Sequence, residues 1–266
     1  MWPHDIELGP LAVNLYGIFT ALGAAAGIWM LRFSAPPAGL DVKFARDLAF
    51  WAVLWGLIGS RAAYVLFHWG SFSGHPWRIL DIWSGGLMFQ GGLAGGFGAL
   101  VLALRSRRTR LVSAGDALAP ALSLGQAIGR AGCFFEGCCY GRAAPPGFPF
   151  AAVFPPGGGA PPSRELYPVQ AMEGMGLAVL TFVLFRLCWA RDRPRGLVLG
   201  AYLLGAGVLR LSMELFFRGD FRGRPVMGFP PTTWAAAGTA LCGAAVLAMV
   251  LARRKRPRDP VPVPNS

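Results

Sequence analysis

Gly129-Arg130-Ala131-Gly132-Cys133-Phe134-Phe135-Glu136-Gly137-Cys138-Cys139-Tyr140-Gly141-Arg142 is the stretch on which the reading of this chain turns. It carries two arginines, a glutamate, four glycines and three of the five cysteines, set between long apolar segments. Ionisable groups in a lipid-embedded region are costly, and where they occur they mark a functional site by default. A glycine-rich interfacial turn with snorkelling arginines is the plainer alternative.

Outward from that stretch, the composition sets the class. Hydrophobic residues make up 54% of the 266 and charged residues only 14%, against roughly 25% charged in soluble domains. The chain therefore reads as an all-α polytopic membrane protein. Seven apolar spans fall near 11–31, 45–68, 84–104, 112–130, 168–189, 197–217 and 232–252, each close to the roughly 20 residues that cross a bilayer. Asp116, Pro120 and Gln126 interrupt the fourth, which is expected to lie buried among its neighbours. Residues 1–252 form one transmembrane domain in this reading, and 253–266 a basic, disordered cytoplasmic tail against anionic lipid heads. No basic segment precedes the first span, which carries Asp5 and Glu7, so no cleavable signal peptide is expected.

The net charge of +12 does not point to nucleic acid, because the basic residues sit in short runs between apolar spans. Alternate connections hold 16 of the 25 lysines and arginines, including Arg105, Arg107, Arg108 and Arg110, and the tail from Arg253 to Arg258. The opposite connections hold six: Arg78, Arg142, Arg164, Arg218, Arg222 and Arg224. The positive-inside bias puts the amino terminus outside and the carboxy terminus in the cytoplasm, as an odd number of spans also requires. The 131–167 connection, with seven prolines around Gly157-Gly158-Gly159, is then an irregular external cap between helices four and five.

Helical rise converts this topology into depth. At about 1.5 Å per residue, Tyr16, Arg61, Gln90, Glu173 and Arg210 all come out roughly 7–12 Å below the outer interface. Glu214 lies one turn nearer the surface, and Arg130 ends the fourth span just above the layer. Arginine pairs bidentately with phosphate, so a phospholipid head group is the natural ligand of such a layer. Each residue also has a plainer reading. Arg210 and Glu214 are spaced to neutralise each other on one helix face. Tyr16 suits an aromatic belt, Arg61 can snorkel, and Gln90 can bond between closely packed helices.

Cys133, Cys138 and Cys139 fall on the external side, where disulfides persist. A Cys133–Cys138 loop is feasible, whereas a vicinal Cys138–Cys139 bridge is strained. Packing residues and a thiolate beside Arg130 or Arg142 are the other readings. The spacing lacks paired C-x-x-C knuckles, so neither a metal nor another cofactor is expected. Cys188 and Cys242, inside spans five and seven, read as packing residues.

Together these residues resemble the prolipoprotein diacylglyceryl transferase family of bacterial inner membranes. The resemblance runs through Leu8-Gly9-Pro10 with Tyr16-Gly17, Ile58-Gly59-Ser60-Arg61 with Tyr64, and the glycine-rich run from Gly85 to Gly96. It continues through the frame Gly129-Arg130-Ala131-Gly132 with Gly141-Arg142, then Pro168-Val169-Gln170 with Glu173, and Arg210 with Glu214-Leu215-Phe216-Phe217-Arg218. The family histidine of the glycine-rich span is Gln90 here. Cys133, Glu136 and Cys138 stand at its usual Asn, Asn and Glu positions, Ala206 replaces a tyrosine, and Tyr167 a histidine.

The resemblance implies transfer of diacylglycerol from phosphatidylglycerol to the cysteine of a lipoprotein precursor, forming a thioether and releasing glycerol phosphate. It implies Arg130 and Arg210 as the groups that stabilise the leaving phosphate, with Glu214, Gln90 and Tyr16 as further catalytic positions. Gly129, Gly132, Cys133, Glu136, Cys138, Gly141, Arg61, Gln170 and Glu173 join Arg130 as substrate-binding positions. An amide does not titrate usefully, so Glu136, Glu214 or Tyr16 is left to take the thiol proton, unless the acceptor arrives as thiolate. A head-group transferase with another acceptor and a non-catalytic lipid-binding protein are the alternative functions.

Overall fold

A computed structural model describes residues 5–8, 11–80, 86–106, 109, 111–156, 159–218 and 225–255. The end of the basic tail from residue 256, Gly9-Pro10, Gly85, Arg107, Arg108, Arg110, Gly157-Gly158, Arg222 and Arg224 lie outside the described residues.

The chain opens on an antiparallel hairpin that the sequence reading did not foresee. Its strands are β1 (Asp5–Leu8) and β2 (Leu11–Asn14), with Asp5 opposite Asn14. The first helix therefore starts later than expected, as α1 (Leu15–Ser34), capped by the Asn14 side chain accepting from Gly17 N. Asp41 caps α2 (Val42–Phe67) by accepting from Phe44 N at 2.9 Å. Then follow α3 (Phe89–Ser106), α4 (Leu111–Phe135), α5 (Val169–Cys188), α6 (Leu197–Ser212) and α7 (Pro231–Lys255). A single π turn, Met213–Phe217, extends α6. Among the described residues six helices are long and apolar enough to cross a membrane. The seventh, α3, has 18 residues and opens on the glycine-rich run.

Small residues set the packing. Helix α2 lies against α3 so closely that a Cβ on Gly59 would stand 2.5 Å from the Gly91 carbonyl oxygen. Where α1 crosses α4, a Cβ on Gly23 would stand 2.7 Å from the Gly125 oxygen. Without a hydrophobic driving force between helices in lipid, such close backbone approach supplies the association. Helix α4 touches α1, α2, α5 and α6, and it has the largest buried share of the six long apolar helices. The polar interruptions in its sequence had pointed to that central place. Asp116 and Pro120 are both fully buried, and Ser123 donates to the Leu177 oxygen of α5 at 3.0 Å.

The bundle has two ends of different character. At one, Asp116 on α4 accepts from Gly196 N and Leu199 N, at 2.7 and 2.9 Å, and pairs with Arg193 at 3.0 Å. At the other, the α4–α5 connection folds over the helices as a cap built on Phe154, Ala160 and Leu166. One isolated bridge, Gly141 to Arg218, ties the cap to the end of the π turn, and another, Ala143 to Leu166, closes the cap on itself. Among its described residues no strand longer than an isolated bridge forms, and Phe154, Ala160 and Leu166 are buried.

Candidate active site

Five charged side chains join at the capped end. Arg130 Nη2 meets Glu173 Oε1 at 2.7 Å, and Arg210 Nη1 meets Glu173 Oε2 at 3.0 Å. Arg210 Nη2 reaches Glu214 Oε1 at 2.7 Å, and Arg218 Nη1 reaches the same oxygen at 2.8 Å. The chain of contacts runs Arg130–Glu173–Arg210–Glu214–Arg218, three cations against two anions. The two glutamates and Arg218 are nearly inaccessible, at 6%, 2% and 6%, while Arg130 and Arg210 keep 20% and 21% of their side-chain surface. The carboxylates and Arg218 are thus the covered members of the network, and Arg130 and Arg210 its accessible ones.

Local structure explains how four helical segments deliver these groups. Gly174, beside Glu173, lets α5 approach α4: a Cβ there would stand 3.3 Å from the Arg130 Cβ. The π turn closes with Arg218 N donating to Met213 O at 3.0 Å, an i to i+5 bond. It keeps Glu214 under Arg210 and carries Arg218 to the signature loop, where Arg142 N donates to Phe217 O at 2.8 Å. Such π turns recur at functional sites.

The signature stretch itself is half helix and half turn. The sequence reading began the loop at residue 131, but α4 continues to Phe135. It ends in a Schellman motif: Gly137 takes φ of 65°, its N–H donates to Phe134 O, and Cys138 N donates to Cys133 O. Gly137 is glycine because only glycine enters that left-handed region without cost. Cys138 is thereby folded back onto Cys133, and the sulfurs of Cys133, Cys138 and Cys139 lie within 4.8 Å of one another. The described cysteines form no disulfide. Hydrogen bonding to Cys133 and Cys139, then burial, push the Cys138 thiol well above its ordinary pKa.

The remaining candidates divide. Gln170 is fully buried, and its Nε2 donates to Cys138 O at 2.7 Å. Its Oε1 has no hydrogen-bond partner among the described residues. Glu136 accepts from Asn14 Nδ2 at 3.0 Å, which ties the hairpin to the signature loop. Gly132 and Gly141 serve close packing, since a Cβ would stand 3.3 Å from the Tyr16 Cα and 2.6 Å from Tyr167 O. Gly129 has open space at that position. Tyr16 packs beside Gly132, within electrostatic reach of the three cysteines.

Arg61 and Gln90 are not part of the ion-pair network. Arg61 is buried and donates to three backbone oxygens, of Ile79, Gly86 and Arg78, at 2.9, 3.1 and 2.6 Å. Its guanidinium also lies 5.4 Å from the Phe72 ring centroid. It braces the α2–α3 connection instead of snorkelling. Gln90 is exposed in the first turn of α3. Arg218, Cys139 and Asn14 were missed as site residues. The four-residue step from Glu214 to Arg218 was the available signal for the first.

A model of the family described as prolipoprotein diacylglyceryl transferase matches residues 3–252. A phosphatidylglycerol–prolipoprotein diacylglyceryl transferase of Methylibium petroleiphilum is 38% identical over 252 residues, covering 90% of this chain and 94% of its own. Proteins of the same name from Rhodospirillum rubrum and Cupriavidus pinatubonensis are 36% and 32% identical. The alignments cover 82% and 99% of this chain, and 80% and 96% of those relatives. With its arginine–glutamate network and its signature frame, this multi-pass membrane protein belongs to the prolipoprotein diacylglyceryl transferase family.

Proposed function

We propose that this chain is a transferase that moves the diacylglyceryl group of phosphatidylglycerol to the cysteine of a lipoprotein precursor. The observation that carries the reading is the network of three arginines and two glutamates, in which Arg130 and Arg210 keep accessible surface. In the reaction the acceptor sulfur attacks the glycerol carbon that bears the phosphate. The carbon–oxygen bond breaks, a thioether forms, and glycerol phosphate departs with one more negative charge than the diester carried. Guanidinium groups fixed beside the departing oxygens stabilise that charge as it develops. Glu173 and Glu214 each bridge two arginines and so orient the guanidinium groups. Gln170, with its buried unpartnered oxygen, is suited to accept a hydrogen bond from a substrate hydroxyl or amide.

The chain works in the bacterial inner membrane with its amino terminus and cap outside and its carboxy terminus in the cytoplasm, on the arginine bias of the connections. A membrane-impermeant thiol reagent applied from outside should then label a cysteine placed at Arg164 but not one at Ser106; the opposite pattern refutes the orientation. For the reaction, radiolabelled phosphatidylglycerol and a lipobox peptide should yield labelled peptide in a stable thioether. Label on another product would favour a head-group transferase with a different acceptor, and no transfer would leave a lipid-binding protein.

A further inference from the structure

The thiol corner beside Arg130 brings three sulfurs within 4.8 Å of one another. The Schellman turn accounts for Cys138 meeting Cys133, because that motif brings its end residues into contact. It does not account for the third sulfur. Cys139 reaches the same point with φ of 60°, a region that residues with side chains rarely occupy. Cys133 is buried, whereas Cys138 and Cys139 are partly open, so the cluster has a covered side and an accessible one. Three thiolates around a cation at about 2.3 Å stand about 4 Å apart. Sulfurs already within 4.8 Å close to that triangle by shifts under about 1 Å. Thiolate sets of this kind select soft cations, and three protein ligands with a fourth position open is the pattern of catalytic rather than structural zinc.

Charge supports the same occupant. Three thiolates and one divalent cation sum to a single negative charge, and a guanidinium held in the neighbouring ion-pair network stands close by. Arg130 stands one helical turn before Cys133 on α4.

We propose that Cys133, Cys138 and Cys139 bind one thiophilic divalent cation of the Zn2+ class, whose fourth position receives the thiol of the acceptor cysteine. The second half rests on the transferase reading; the cation site does not. Coordination removes the acceptor's S–H proton, which passes to solvent, because a thiol bound to such a cation is deprotonated outright. The cation-bound sulfur then forms its bond to the glycerol carbon as the carbon–phosphate-oxygen bond breaks, with no change of oxidation state. Gln90 cannot titrate, and the two network carboxylates are held by arginines. Coordination supplies the activation that they do not.

The test uses the reduced full-length protein in detergent, titrated with Co2+ as the spectroscopic probe. A single equivalent should bind with sulfur-to-cobalt charge-transfer absorption and the visible bands of a four-coordinate ion, and Zn2+ should displace it. Cys133→Ser, Cys138→Ser and Cys139→Ser should each weaken binding by more than about tenfold, while Cys242→Ser should leave it unchanged. A lipobox peptide should shift the visible bands, and the same peptide with its cysteine replaced by serine should not. Wild-type protein that binds no more Co2+ than the triple serine variant overturns the site, a result that needs no single variant to fold. Bands indifferent to the peptide thiol overturn the acceptor role. Transfer that persists at full rate in metal-stripped protein overturns this proposal and leaves the transferase standing. Stoichiometric Co2+ with transfer to no cysteine peptide upholds the cation site and refutes the transferase.

Discussion

Two ion-pair centres sit at opposite ends of the same bundle, and they differ in completeness. Arg193 and Asp116 are one cation and one anion, 7% and 1% exposed. Asp116 accepts two backbone N–H groups of α6 besides the arginine, and Arg193 spends Nε and Nη2 on the Cys188 and Pro37 oxygens, each at 2.8 Å. Charge and hydrogen bonding both close there. At the capped end three arginines and two glutamates are joined, and Arg130 and Arg210 keep 20% and 21% of their side-chain surface, against 7% for Arg193. A saturated, covered centre clasps helices together; one whose arginines keep accessible donors is suited to receive an anion.

The contrast breaks most visibly through stability. Asp116→Ala should lower unfolding stability in detergent by about 3–5 kcal/mol, because it leaves a buried guanidinium and two helix-end N–H groups without their acceptor. If the same change left stability intact and abolished transfer, the clasp reading would be wrong. The next largest effect belongs to the capped end. Arg130→Lys and Arg210→Lys should each lower turnover on the order of a hundredfold, with melting little changed, since lysine keeps the charge but loses the planar fork. Wild-type turnover in both variants would end the phosphate-clamp reading. It would equally fail if the double change Arg210→Met with Glu214→Met kept its activity, the behaviour expected of a merely structural pair.

A smaller effect sharpens the boundary of the site. Gln170→Leu strands the Cys138 carbonyl and should cost about 1–3 kcal/mol of stability. If its second role is to receive a substrate donor, the apparent KM for phosphatidylglycerol or peptide should rise as well, and an unchanged KM limits Gln170 to holding the loop. The least effect is expected at Arg186, exposed on α5 near the clasp end. Arg186→Lys should stay within about 0.5 kcal/mol and leave turnover unchanged.

Much of this was legible in the residues. Depth counted along each helix put Glu173 and Arg210 into one layer, with Glu214 one turn nearer the surface and Arg130 just above, and the structure joins all four. The same arithmetic enrolled Arg61 and Gln90, which the fold sends elsewhere. Helical rise gives the height of a residue but not its bearing: each residue turns about 100° round the axis, and only packing decides which bearing faces the site. The cysteine corner was hidden for another reason. Linear spacing showed no paired knuckles, and the meeting of three sulfurs depends on a left-handed glycine at 137 and a left-handed cysteine at 139. The amino-terminal hairpin was absorbed into the first span because its apolar strand, Leu11–Asn14, runs straight into α1.

The π turn at Met213–Phe217 has a consequence for how this helix tolerates change in length. A π turn is an α-helix with one residue too many, so it works as a phase shifter. Removing one residue from Leu215 to Phe217 would let the ladder relax to ordinary α pitch while the span still crossed the bilayer. Arg218 would then stand three residues after Glu214 instead of four, still on the same helix face, while the wide turn that carries it to the bridge with Gly141 would be lost. A deletion there would be silent to hydropathy, and its cost would fall on the contact between the end of α6 and the signature loop, where Arg142 N donates to Phe217 O.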